Sequence, residues 1–205
     1  MAFAATLFFD VGGVLLTNGW DTAARDRVVA HFGLNGPDFH TRHFMVKTAF
    51  ETGRITLDQY LQRTVFYQPR SFSADNFKAF MFDQSQPLPN GVLDFIGALA
   101  ATGRYRLSTL NNESTELNDY RIERFHLQDY FLDFFSSCYL GMVKPDEDIY
   151  RAVLSITRCP PNQGIFIDDR AVNVESALAA GYRALQFRDL PQLQRDLARV
   201  GIQID

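Results

Sequence analysis

A chain of 205 residues, 46% hydrophobic and 21% charged, carries enough apolar side chains for one full core with room for a sizeable insertion. Its net charge of -4 and scattered Lys and Arg exclude the basic field that nucleic acid or an anionic membrane surface requires. The apolar N-terminus has no positive n-region and meets Asp10 before reaching spanning length, so neither a signal peptide nor a membrane span is predicted and a cytoplasmic location is expected.

The first element is a short apolar run, Thr6-Leu7-Phe8-Phe9, that ends on Asp10 and continues as Val11-Gly12-Gly13-Val14-Leu15-Leu16. It reads as a buried strand followed by a glycine loop. A carboxylate at such an end is costly unless a cation or a catalytic pocket meets it, the alternative being an Asp that caps the turn. From Gly19 to Pro89 the pattern is helical: Asp21 to Phe32, Pro37 to Glu51, Thr56 to Tyr67 with a capping box at Thr56 and Gln59, and Ser73 to Phe82. Phe77, Phe80 and Met81 on the last of these read as core. Gln86-Pro87-Leu88-Pro89-Asn90 cannot continue a helix and reads as a linker. Beyond it, helices and strands alternate: helix Gly91 to Ala101, strand Tyr105 to Leu110, helix Glu113 to Phe125, strand Phe134 to Leu140 and helix Asp146 to Thr157. Strand Ile165 to Asp168, helix Ala171 to Ala180, strand Tyr182 to Phe187 and helix Leu190 to Val200 complete the chain. The alternation predicts an α/β fold, a doubly wound parallel sheet covered on both faces, with residues 1–18 and 89–205 forming the core domain and 19–88 an inserted helical domain.

In such a sheet ligands bind beyond the carboxyl ends of the strands, where strand order reverses. The unusual polar residues fall at those ends: Asp10 after the first strand, Ser108 and Thr109 at the end of the second, Lys144 after the third, Asp168 and Asp169 after the fourth. Three converging carboxylates repel one another unless a cation joins them, and oxygen-only donors suit a hard ion such as Mg²⁺. Ser108, Thr109 and Lys144 then face a phosphate held in line with Asp10, which is the arrangement for an aspartyl-phosphate intermediate. Cys138 and Cys159 have no metal-ligand spacing, and His31, His40, His43 and His126 form no zinc pattern; all six read as packing or surface residues.

With these four stretches in order, the whole chain resembles the haloacid dehalogenase (HAD) superfamily, subfamily I, with a helical cap after the first motif. The resemblance implies that Asp10 is the nucleophile and a metal ligand, with the Gly12 carbonyl as a second ligand. Ser108 and Lys144 would then contact phosphate. Asp169 would bind the metal directly and Asp168 either directly or through water, while Asn173 resembles the family's supporting position behind that pair. Trp20 and the cap helices would close over the site, with Arg25, Arg42, His43, Lys47 and Arg54 as candidate substrate contacts. The pattern departs from the family at Gly12, where the usual second Asp protonates the leaving group; relatives resembling sugar-phosphate phosphatases also carry Gly there. The function expected is therefore a Mg²⁺-dependent phosphatase of a small phosphorylated metabolite such as a sugar phosphate. The alternatives are a 2-haloacid dehalogenase, against which the paired Asp168-Asp169 argues, and a phosphate-binding regulatory protein.

Overall fold

In the computed structural model, which describes residues 3–89 and 91–204, five parallel strands lie in the order β3-β2-β1-β4-β5. They are β1 (Ala5–Phe9), β2 (Tyr105–Asn111), β3 (Asp133–Ser136), β4 (Gly164–Asp168) and β5 (Arg183–Gln186). The chain winds outward from β1 in one direction through β2 and β3, then in the other through β4 and β5, so strand order reverses between β1 and β4. Met1, Ala2 and Asp205 of the predicted core and Asn90 of the predicted linker lie outside the described residues.

The adjacent strands β1 and β4 read as nearly continuous apolar runs because both faces of the sheet are covered there. Leu7 and Phe9 point into one layer with Val92, Ile96 and Leu99 of α5 (Val92–Ala101) and Leu193 and Leu197 of α10 (Leu190–Arg199). Phe8 points the other way, against Ile149, Tyr150 and Val153 of α8 (Glu147–Thr157) and Ala177 of α9 (Ala171–Ala179). The third strand is shorter than its apolar sequence predicts: it stops at Ser136, and Ser137 to Leu140 form the short helix α7. The Ser137 hydroxyl accepts from the Glu113 amide and donates to the Glu51 carbonyl, which takes the chain out of the sheet, and Gly141 ends the turn at φ 68°.

Between β1 and α5 come α1 (Thr22–Phe32), α2 (Gly36–Glu51), α3 (Leu57–Thr64) and α4 (Ala74–Asp83). Asp21, Asn35, Thr56 and Ser73 each cap the helix that follows, and Thr56 and Gln59 complete the capping box reciprocally. The insertion has its own core of Trp20, Phe39, Phe50, Tyr60 and Phe77, into which Leu117 of α6 (Thr115–Arg124) also reaches. Its two crossings to the sheet run side by side: Leu16 bridges Pro87, and Thr17 exchanges hydrogen bonds with Gln84 and Gln86. No helix among the described residues is long and apolar enough to cross a membrane.

At the centre of the insertion the Trp20 indole N–H donates to Tyr60 Oη at 2.8 Å, and Tyr60 pairs with His43 Nδ1 at 2.9 Å. His43 is only 5% exposed, and burial followed by the Arg25 charge lowers its pKa to about 3. The imidazole is therefore neutral when folded, whereas the unfolded chain takes up a proton below its ordinary value of 6.5. Stability is complete above that value and falls as the pH drops toward 3. At pH 5 the loss is about 2 kcal/mol, at about 1.4 kcal/mol per pH unit. Urea unfolding of the parent and a His43→Asn variant at pH 7.5 and pH 5 should show that extra loss in the parent alone; equal losses in the two would overturn the assignment.

Candidate active site

The sheet register brings the acids together. Phe9 of β1 lies opposite Ile167 of β4, so the next residues, Asp10 and Asp168, emerge side by side where strand order reverses. Asp169 follows, its carboxylate over Gly13: a Cβ built on Gly13 would lie 2.5 Å from Asp169 Oδ2, and Gly13 itself sits at φ +78°. Glycine is thus required there for both space and conformation. One oxygen or more from each of Asp10, Asp168 and Asp169 lie within 4.8 Å of one another.

Lys144 Nζ reaches into this cluster, 2.6 Å from Asp168 Oδ2 and 3.1 Å from Asp10 Oδ1. Its backbone is pinned from β2's end, where Asn112 accepts from the Lys144 amide at 2.8 Å and donates to the Lys144 carbonyl at 2.7 Å. Asp168 is fully buried and held on both oxygens: Asn173 Nδ2 donates to each, and the Arg170 amide donates to Oδ1. Asp10 Oδ1 accepts from the Val11 amide at 2.8 Å. Asp169 brings Oδ1, a buried oxygen with no hydrogen-bond partner among the described residues.

The electrostatics follow from crowding. Burial pushes the Asp10 carboxyl up to about 7, with Lys144 pulling it down and the Asp168 charge adding to the rise. Burial and then Asp168 likewise raise Asp169. Burial opposes the charge on Lys144, but Asp10 and Asp168 outweigh it and hold its pKa above the usual lysine value. One ammonium among three carboxylates leaves an excess of negative charge. A hard dication fits this site because the donors are all oxygens and one of them, on Asp169, lacks any other partner.

The predicted phosphate contacts divide. Lys144 stands in the cluster, but Ser108 does not line the cavity above it: its hydroxyl donates to Asp133 Oδ2 at 2.9 Å and it is fully buried. The reason is that β2 runs on to Asn111, which leaves Ser108 mid-strand opposite Asp133 rather than at the strand end. Thr109 is buried opposite Phe9 and does not line the cavity either. Gly12 does line it, and a Cβ there would meet Asn18 Oδ1 at 3.0 Å, so the Asn18 carboxamide fills the space that a side chain at position 12 would take.

The cavity measures about 770 Å³ and lies between the sheet end and the insertion. Trp20, Arg25 and Lys47 line it; Arg42, His43 and Arg54 do not. Sequence reasoning missed Asn112, Glu113 and Arg121. Arg121 and Glu113 form a buried ion pair at 3.2 Å beside the cavity, and Arg121 also donates to the Thr17 carbonyl at the crossing into the insertion. The doublet Asn111-Asn112 ahead of a helix was a readable signal for Asn112; no local pattern singles out Arg121.

A family model described as haloacid dehalogenase-like hydrolase matches residues 4–181. The chain is 31% identical over 196 residues to flavin mononucleotide hydrolase 1, a chloroplast protein of Arabidopsis thaliana, covering 93% of this chain and 78% of that one. The fold is similar to that of a HAD family enzyme from Bacteroides thetaiotaomicron in its magnesium complex, with TM-score 0.77, 21% identity and coverage of 90% of this chain and 93% of the other. The same enzyme with magnesium and inorganic phosphate gives TM-score 0.70 at 22% identity, covering 90% and 94%. L-2-haloacid dehalogenase from Xanthobacter autotrophicus gives TM-score 0.59 at 16% identity, covering 97% and 84%.

Proposed function

The chain belongs to the haloacid dehalogenase-like hydrolases, and from that premise we propose that it is a Mg²⁺-dependent phosphatase of a small phosphorylated metabolite, acting through an aspartyl-phosphate. The observation that carries this reading is the cluster of Asp10, Asp168 and Asp169 at the point where strand order reverses, with Lys144 inserted between two of them. Asp10 would attack phosphorus. Lys144 holds Asp10 and Asp168 in place and presents positive charge to a phosphoryl oxygen, and Asn173 keeps Asp168 from turning away. Mg²⁺, held by Asp10, Asp169, the Gly12 carbonyl and Asp168 directly or through water, would supply Lewis-acid stabilisation of the phosphoryl group. Asn112, which follows β2 and lines the cavity, takes the phosphate-binding role in place of Thr109, which is buried opposite Phe9, and of Ser108, which is committed to Asp133.

A haloacid dehalogenase reading shares the fold but has no use for three crowded acids that need a cation. The cavity is large enough for a leaving group of nucleotide size, and two ester classes come forward: sugar phosphates, and flavin mononucleotide, which the Arabidopsis relative's name specifies. We treat residues 19–88 as the cap that closes the site. The free thiols of Cys138 and Cys159 are in keeping with a cytoplasmic location.

The test is turnover of p-nitrophenyl phosphate, flavin mononucleotide and a panel of sugar phosphates with Mg²⁺ and with chelator, alongside melting curves. Mg²⁺ at a hundredfold over its dissociation constant should stabilise the protein by about 2.7 kcal/mol, a rise of roughly 5–11 °C for a chain of this size, and chelator should remove both the rise and the turnover. Binding of phosphate without turnover would identify a phosphate sensor. A melting curve indifferent to Mg²⁺ and chelator would remove the metal site.

A further inference from the structure

In-line displacement places the leaving oxygen on the side of phosphorus opposite the attacking one. Asp10 lies at the sheet end of the cavity, so the leaving oxygen points toward the helical insertion, and a proton for it has to come from there. Gly12 carries no acid, and Asn18, which fills the neighbouring space, has a carboxamide that donates a hydrogen bond without releasing a proton.

Four acids of the described residues line the cavity: Asp10, Asp21, Glu51 and Glu113. Asp21 caps α1, accepting from the Ala24 amide at 2.8 Å, and Glu113 is tied to Arg121 and to the Ser114 amide. Glu51 is the one left for chemistry. It stands at the end of α2, on the face where Phe44, Lys47 and Thr48 also line the cavity at the spacing of successive helical turns. Its carboxylate meets Lys47 at the long distance of 3.7 Å. The end of α2 is fixed against the sheet layer: the Ser137 hydroxyl donates to the Glu51 carbonyl, and Gly53 packs so closely on Cys138 that an added Cβ would lie 2.4 Å from its carbonyl oxygen. A general acid needs this kind of anchoring.

Building on the phosphatase reading, we propose that Glu51 is the catalytic acid that protonates the leaving group in place of the acid absent at Gly12. Asp10 forms a bond to phosphorus, the phosphorus–oxygen bond to the leaving group breaks, and its electron pair takes the Glu51 proton, giving the free alcohol, the aspartyl-phosphate and the Glu51 carboxylate. Water then attacks the phosphorus of the aspartyl-phosphate, Glu51 takes a proton from it, and Asp10 and inorganic phosphate are released with Glu51 protonated again. Burial raises the Glu51 pKa, which favours the protonated form. The charged groups that face it are Lys47 on its own helix, Arg25 of α1 and Arg170 ahead of α9, which pull it down, and Glu113 near the end of β2.

The experiment compares kcat/KM for p-nitrophenyl phosphate, whose leaving group departs with little help, and for the alkyl phosphate of the panel turned over fastest, in the parent and in Glu51→Gln. The alkyl-to-aryl ratio should fall about 10²–10⁴-fold, and the basic limb of the alkyl pH profile should disappear. Introducing Gly12→Asp with Asn18→Gly into Glu51→Gln should restore alkyl turnover by returning an acid to the family's position. An equal fall on both esters, an unmoved ratio, or a parent that hydrolyses the aryl ester but no alkyl ester would overturn the role of Glu51 while leaving the phosphatase standing. A parent inactive on every ester would overturn the phosphatase reading and this inference with it.

Discussion

Asp10→Asn is expected to lower turnover on the order of 10⁴–10⁶-fold, to the background of the assay, in a protein that folds normally. The substitution keeps the size and shape of the side chain, and its amide oxygen still accepts from the Val11 amide as Asp10 Oδ1 does at 2.8 Å. Lys144 loses one of its two carboxylates but keeps Asp168 at 2.6 Å. What disappears is the negative charge that attacks phosphorus, together with one of the three carboxylates that gather a cation. Without Mg²⁺ the variant should melt no lower than the parent, because one member of a like-charged cluster has been neutralised; with Mg²⁺ its rise should be smaller. Retained turnover in Asp10→Asn would sink the aspartyl-phosphate mechanism, and the melting curves separate that outcome from simple misfolding.

The residues legible in the sequence were those whose position depends on the chain's own periodicity. Asp10, Asp168 and Asp169 each follow an apolar run, and parallel register then carries Asp10 and Asp168 to one level without further information. Doubly wound topology was legible for the same reason, since buried strands that alternate with helices form a parallel sheet covered on both faces. Ser108 shows the limit. Its hydroxyl is taken up by Asp133, which the register of β3 on β2 sets opposite it, a pairing across 25 residues that no local pattern shows. The third strand failed similarly, because Phe134 to Leu140 is broken only by Ser136 and Ser137, and the hydrogen bonds of Ser137 to Glu51 and Glu113, which show where the sheet is left, are long-range. Helix α2 was ambiguous for another reason: Phe39, Phe44, Met45 and Phe50 put apolar groups on more than one face. Burial assigns His43 to the core side with Phe39 and Phe50, and leaves Phe44, Lys47 and Glu51 to the cavity. Arg121 was beyond reach, because its bond to the Thr17 carbonyl joins stretches 104 residues apart.

Lys144→Met should be the most destabilising single change in the site and should also abolish turnover. The methionine replaces most of the lysine stem, so the loss is that of the ammonium. That ammonium is buried, 3.1 Å from Asp10 Oδ1 and 2.6 Å from Asp168 Oδ2, and removing one partner of a buried charge pair costs about 3–5 kcal/mol. For a chain of 205 residues this corresponds to a melting temperature lower by roughly 6–20 °C in the presence of chelator. The pH dependence has a definite sign. With Lys144 gone, only the Val11 amide opposes the burial and mutual repulsion that already raise Asp10, so the folded variant binds protons more tightly than its unfolded chain. Stability gained by that binding appears as the pH falls, and the deficit relative to the parent should be largest near pH 8 and shrink toward pH 5. Added Mg²⁺ should shrink it too, because a dication on the same carboxylates supplies the charge that the lysine no longer does. Melting curves at pH 8, 6.5 and 5, each with chelator and with Mg²⁺, read all three effects. A variant that melts with the parent in chelator at pH 8 would show that Lys144 is not the counterion of this cluster, and the crowding of Asp10 against Asp168 would then need a different explanation.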